Sequence, residues 1–179
     1  MGNYDLSKEL LVEKQWEGIY QDYNTILLGY LTKKTGYDLA CDIMQEAFLK
    51  LYFAMRNGKK IENVKAYLFQ IARNEMYSQA NKVNLINNDD VSVKLEDFNS
   101  NVEADFDKKE LNDLLASAKT TLSSVELEIF EMRWHLGFTQ AEIAKVLHKS
   151  ERQIRRNIEK IVRKIRIVFE NAGWNPTDV

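Results

Sequence analysis

The chain runs to 179 residues with a single proline, Pro176, close to its C-terminal end, and only seven glycines. Proline and glycine are the residues that most reliably end regular structure, so a chain this poor in them is free to form long helices. Its apolar residues recur three and four apart, and no Val/Ile/Thr-rich run alternates between turn pairs as a strand would. The expected fold class is therefore all-α.

The helical pattern falls into two blocks. The first extends from about Ser7 to Asn81, with helices expected at 7–31, 38–56 and 63–81 and breaks at "TKKTGY" and "NGKKIE". The stretch "NKVNLINNDDVSVKLEDFNSNVEADFD" then loses the helical period and turns rich in Asn and Asp, which is the composition of a flexible acidic linker. Helical pattern resumes near Lys108 and lasts to about Glu170, before "NAGWNPTDV" stops it. Two small helical domains follow, residues 1–82 and 110–179, joined by a flexible acidic linker at 83–109.

Charge is segregated along the same lines. The net charge of the whole chain is -2, yet residues 139–166 hold nine Lys/Arg against three Asp/Glu, while residues 83–138 hold five against twelve. A weakly acidic protein thus carries one concentrated basic segment, and such segregation points to an anionic partner for that segment.

Several classes are excluded. No apolar run approaches the ~20 residues of a membrane span, and the acidic, amphipathic start "MGNYDLSKELLVEK" is not a signal peptide. The lone Cys41 rules out an internal disulfide and fits a reducing compartment, so a cytoplasmic protein is expected. The only histidines, His135 and His148, share no spacing with a Cys or carboxylate cluster, so neither a metal nor another cofactor is expected. No nucleophile–base pair or phosphate loop marks an enzyme.

Within the basic segment lies "TQAEIAKVLHKSERQIRRNIEK". Thr139 with Glu142 and Ser150 with Gln153 each form a capping box, as do Ser123 and Glu126 upstream. Helix starts at 139 and 150 leave a first helix of about eight residues, "QAEIAKVL", and a very short turn. Small Ala144 permits close approach, and Ile143, Leu147, Ile154 and Ile158 supply a shared apolar face. This is the spacing of a helix-turn-helix, whose second helix enters the major groove. Ser150, Arg152, Gln153, Arg155, Arg156 and Asn157 then present the reading surface, since Arg and Gln suit guanine and adenine edges and further cations suit phosphates. One departure stands in the turn, where His148 and Lys149 replace the usual Gly and apolar residue; a left-handed backbone costs His more than Gly.

In the first block, "DLACDIMQEAFLKLYFAM" has a core stripe of Leu39, Ile43, Ala47, Leu51 and Met55. Its other face bears Asp42, Gln45, Glu46, Leu49, Lys50 and Phe53. Apolar side chains on that outer face mark a docking surface. The next helix, "VKAYLFQIARNEMYSQANK", is expected to bury Val64, Leu68, Ile71 and Ala72. Phe69, Arg73, Tyr77 and Asn81 then line another side, an interleaving of aromatic and polar groups that suits unstacked single-stranded bases but taken alone is more often packing plus solvated surface.

Taken in order, "ACDIMQEAFLKLY", "NVKAYLFQIARNE" and "LSSVELEIFEMRWHLGFTQAEIAKVLHKSERQIRR" resemble the successive motifs of the extracytoplasmic-function group of bacterial RNA polymerase sigma factors, within the sigma-70 family. The resemblance spans most of residues 16–168. It implies that residues 1–82 are sigma region 2 and residues 110–179 sigma region 4. It implies that Asp42, Gln45, Glu46, Leu49 and Phe53 dock on a coiled coil of the polymerase β′ subunit, with the β subunit as a further contact. Asn63, Lys65, Tyr67, Arg73, Asn74 and Tyr77 would open the −10 element and hold its non-template bases. The helix-turn-helix would read the −35 element as duplex, and an anti-sigma factor would be a partner. A 25-residue link from 83 to 107 reaches ~80 Å when extended, more than the roughly 50 Å between promoter elements a turn and a half apart. Its acids suit a positively charged polymerase channel or, equally, plain solubility.

Two other functions remain open on the sequence. A stand-alone helix-turn-helix regulator would bind an operator as a dimer, with half-sites about one helical turn apart. An interaction module that mimics a sigma domain would tolerate changes at Arg152 and Arg155.

Overall fold

The computed structural model describes residues 6–86 and 106–174, and side chains within 9–81 and 111–174. Every regular element among the described residues is helical, and the chain divides into two units, residues 1–98 and 99–179.

The first unit holds α1 (Leu6–Thr35), α2 (Tyr37–Arg56) and α3 (Val64–Ile86), with α2 packed on both neighbours. A single residue, Gly36, joins α1 to α2. It takes φ 80°, a conformation that a side chain would resist, and its carbonyl accepts the Ala40 N–H at 3.1 Å as the next helix begins. The core is made by Leu27, Leu31, Ile43, Ala47, Leu51, Leu68, Phe69 and Ala72, all fully buried. Leu39 and Met55, expected in the α2 stripe, are half-buried at its ends, and Ala40 and Phe48 are buried in their stead. An aromatic cluster fastens α1 to α2. The Trp16 indole N–H donates to the Phe48 carbonyl at 3.3 Å, and Tyr20 sits 4.8 Å from the Phe48 ring. Aromatic pairs of this kind contribute about 0.5–1.5 kcal/mol each beyond area burial.

The second unit holds α4 (Phe106–Thr120), α5 (Ser124–Phe130), a π-helical turn (Glu131–His135), α6 (Gln140–Leu147) and α7 (Glu151–Asn171). All three capping boxes form. The Ser123, Thr139 and Ser150 hydroxyls accept the N–H of Glu126, Glu142 and Gln153, and those side chains accept each cap's own N–H at 2.9, 2.6 and 2.9 Å. Each cap contributes about 1 kcal/mol. The core comprises Ile129, Met132, Phe138, Ile143, Val146, Leu147, Ile154 and Ile161. Ile158, expected among them, is half-buried.

Helix bounds move where the sequence pattern was indistinct. α3 continues to Ile86, beyond the expected end of the first domain at 82, and α4 begins at Phe106, inside the expected linker 83–109. The remainder of that linker, residues 87–105, lies outside the described residues.

Candidate nucleic-acid interface

The turn between α6 and α7 is two residues, His148 and Lys149, before the Ser150 cap. His148 adopts φ 51°, ψ 42°, the only positive φ among the described non-glycine residues. The Lys149 N–H reaches the Ala144 carbonyl at 3.0 Å and the His148 N–H that of Lys145 at 3.4 Å. This is the paired bonding of a helix ended by a left-handed residue. The turn expected to need glycine is thus made with histidine. A left-handed residue other than glycine costs roughly 1–2 kcal/mol, which the buried Ile143, Leu147 and Ile154 on either side offset.

On α7, Arg152, Arg155 and Arg156 are exposed. Among the described residues Arg152 and Arg156 have no carboxylate within ion-pair distance, and Arg155 meets Glu159 only at 3.9 Å with both side chains largely in water. Pairs so exposed contribute little, so three guanidinium groups stand ready for an anionic partner. Two expected readers are more constrained. The Gln153 side-chain oxygen is taken by the Ser150 N–H, and Ser150 itself serves as the cap. Asn157 does not point outward as expected: it is half-buried, and its amide donates to the Gln153 carbonyl at 2.8 Å, one turn back on its own helix.

A charged cluster that periodicity did not reveal ties α7 to α5. Glu126, only 2% exposed, meets Lys164 at 2.6 Å and Lys160 at 2.9 Å. Lys160 approaches Oε1 of the carboxylate and Lys164 its Oε2. Lys164 also donates to the Thr121 carbonyl at 2.9 Å. Burial by itself would raise the Glu126 pKa, but Lys164, Lys160 and the Ser123 N–H outweigh it and hold the carboxyl down to about 2. Only the capping role of Glu126 is marked in the sequence; no local pattern links it to lysines 34 and 38 residues later.

In the first unit, Asp42, Gln45, Leu49 and Phe53 lie on the exposed face of α2, with Leu49 49% and Phe53 48% exposed. Glu46 is half-buried and pairs with Lys50 at 3.2 Å, and Lys50 in turn bonds Glu75 of α3 at 2.5 Å, which raises the Lys50 pKa.

On α3 the expected single-strand face is partly corrected. Phe69 is fully buried with its ring 5.4 Å from Tyr30, so it belongs to the core and offers no base a face. Val64 and Ile71, expected in the core, are half-buried. α3 packs chiefly on α2 and also touches α1, so its buried face is wider than a four-residue stripe implies. Asn63 is the N-terminal cap of α3, its side-chain oxygen accepting the Ala66 N–H at 2.8 Å. Lys65 is half-buried and Asn74 exposed. The two tyrosines each carry a cation. Lys59 lies 4.5 Å from the Tyr67 ring centre and donates to its hydroxyl at 3.0 Å, and the Arg73 guanidinium lies 4.6 Å over the ring of Tyr77, which is 45% exposed. Cations over aromatic faces are attracted by the ring quadrupole. Lys59 had not been singled out in the sequence. It also lines an open groove of about 390 Å³ with Val12, Gln15, Ile19 and Ile61.

Among the described residues no group of His, Cys, Asp and Glu could hold a metal ion, and no helix is long and apolar enough to cross a membrane.

The Sigma-70 region 2 family matches residues 19–84 and the Sigma-70, region 4 family matches residues 120–166, together well over half of the chain. Among solved structures, the sigma factor RpoE in complex with the anti-sigma factor NepR from Bartonella quintana is similar in fold. Its TM-score is 0.66 at 21% identity, over 88% of this chain and 98% of that one. No curated protein sequence matches the chain. Regions 2 and 4, each on its own helical unit and in that order, place the chain in the sigma-70 family. It is a sigma factor of that family, and so a transcription initiation protein and not an enzyme.

Proposed function

We propose that the chain docks on core RNA polymerase through α2 and reads a promoter at two places, as single strand through α3 and as duplex through α7. The observation that carries this reading is the pairing of exposed Leu49 and Phe53 on the region 2 unit with exposed Arg152, Arg155 and Arg156 on the region 4 unit. A docking face and a duplex-reading face on one chain are what an initiation factor needs and a stand-alone regulator does not.

In this reading Asp42, Gln45, Leu49 and Phe53 meet the β′ coiled coil, with Glu46 contributing through its pair with Lys50. Tyr67, Arg73, Asn74 and Tyr77 hold unstacked non-template bases, for which aromatic faces contribute about 1–3 kcal/mol per base. Asn63 and Lys65 shape the start of that helix. Arg152, Arg155 and Arg156 reach the −35 bases and phosphates, with Ser150, Gln153 and Asn157 holding the helix start. Domains at 1–82 and 110–179 act as separate readers across the linker. A net charge of -2 leaves the free chain a weak DNA binder. Docking would fix both readers at the promoter spacing and convert two weak contacts into one bidentate one. An anti-sigma partner is supported by the similar sigma factor having been solved with one. The site of action would be the cytoplasm, with the polymerase.

The test is transcription by purified core polymerase on a genomic DNA library, with and without the chain, mapping transcript 5′ ends. Discrete starts that need the chain and share two upstream elements are expected. Absence of such starts, with specific duplex protection by the chain alone, would replace this reading by a stand-alone regulator.

A further inference from the structure

Arg163 and Arg166 stand on the second half of α7. Both are exposed, and among the described residues neither has a carboxylate within ion-pair distance. Eleven residues make close to three turns of helix, so Arg163 falls in line with Arg152, and Arg166 in line with Arg155, each about 16 Å further along the axis. Ile154 and Ile161, the buried residues of α7, point to the opposite side. The two arginines therefore take no part in the core. Glu151, Glu159 and Glu170 share the exposed side, but they face five arginines, and their one ion pair joins Glu159 to Arg155 at 3.9 Å. Glu126 does not neutralise this half of the helix either, since Lys160 and Lys164 divide its single carboxylate between them.

We propose that Arg163 and Arg166 form a second DNA-contact site on α7, which binds backbone phosphates flanking the bases read by the first half of the helix. The inference rests on α7 being the duplex-reading helix. It goes beyond that reading in assigning two further residues and the chemistry of their ligand, a phosphodiester. Distance decides between base and phosphate. A reading helix meets base edges with its N-terminal residues, inside a major groove about 12 Å wide. A side chain about 16 Å further along the axis has passed the wall of the groove, where the duplex offers phosphates and not base edges. The reading helix of a homeodomain is divided in the same way, with backbone contacts at its C-terminal end. Such contacts carry no sequence information; they fix the register of the helix on the duplex and supply affinity. Arginines that are exposed, unpaired and in line with the reading arginines have the charge and the direction for this, while Arg152, Arg155 and Arg156 keep the bases.

The test uses the full chain and a short duplex of random sequence, with binding followed by fluorescence anisotropy over a salt series. Each phosphate contact contributes about 0.9 to the log–log slope of affinity against salt. Arg163→Gln with Arg166→Gln should therefore reduce the magnitude of the slope by about 1.8 and weaken binding at least tenfold at about 0.1 M salt. Both side chains are exposed, so helix content by circular dichroism should not change. Arg163→Lys with Arg166→Lys should keep the wild-type slope, because a phosphate accepts lysine as a point charge. An unchanged slope in R163Q/R166Q overturns the proposal, and the pair would then face a protein partner or solvent. Loss of slope in the lysine variant also overturns it, since the guanidinium shape and not the charge would then be what binds. Transcription with core polymerase separates this site from the function proposed above. The expected slopes without chain-dependent transcription would sustain the phosphate site and remove the sigma-factor function. Chain-dependent transcription with an unchanged slope in R163Q/R166Q would do the reverse.

Discussion

The buried Glu126 carboxylate should make the stability of the region 4 unit depend on acid in a defined window. Its pKa is held at about 2, against 4.5 for an unperturbed glutamate, and each unit of difference between folded and unfolded states corresponds to about 1.4 kcal/mol. A depressed carboxyl stabilises the folded state at every pH above the unfolded value, and the contribution is lost as pH falls through the folded value. The full contribution of about 3 kcal/mol is therefore present near neutrality. It falls to about 2 kcal/mol at about pH 3.5 and to under about 1 kcal/mol at about pH 2.5. Glu126→Gln never carries it. Urea unfolding of wild type and E126Q, each in a Trp16→Phe background, leaves Trp134 and Trp174 as reporters, both in the second unit. The gap between the two proteins should be largest near pH 7 and close as pH falls below about 4.5. A gap that stays constant down to about pH 2.5, or one below about 1 kcal/mol at neutral pH, would refute the reasoning.

Other substitutions separate core from surface. Phe69→Ala should destabilise the first unit by about 3–5 kcal/mol, whereas Tyr77→Ala should leave its melting midpoint nearly unchanged and weaken capture of melted promoter DNA by about 1–3 kcal/mol; equal effects of the two on stability would contradict the burial assignment. Leu49→Ala with Phe53→Ala should lower affinity for core polymerase at least tenfold, roughly the loss of one strong anchor, with the fold intact by circular dichroism. Unchanged affinity would remove α2 from the docking face. His148→Gly should raise the stability of the second unit by about 0.5–1 kcal/mol through relief of the left-handed strain, read as an upward shift in urea midpoint; a downward shift would mean that the His148 side chain outweighs the strain.

Much of this protein was legible before any coordinates. The scarcity of proline and glycine, the three capping boxes and the eleven-residue interval between Thr139 and Ser150 are local features. A cap bonds to its own helix three residues on, so its partner can be read from the same line of sequence. For that reason α6 occupies the expected residues, and the exposure of Leu49 and Phe53 follows from a period that one helix keeps by itself. The exposure of Arg152, Arg155 and Arg156 on α7 follows in the same way.

What the sequence could not determine depends on a second helix. Phe69 sits four residues from Arg73 and eight from Tyr77, on what a single helix would call one side. Only the approach of Tyr30 from α1 shows that the side is split between core and surface. Asn157 was expected to face the DNA, and its amide instead bonds the Gln153 carbonyl one turn back, which spacing by itself does not reveal. Glu126 is the clearest case. Its capping role is local and was visible, but its charge is matched by Lys160 and Lys164, 34 and 38 residues later. Local patterns fix where helices start and which faces are apolar, because hydrogen bonds and periodicity act within a few residues. Which charges are neutralised, and therefore which cations remain for DNA, is decided by packing between helices, because electrostatic pairing depends on distance in space.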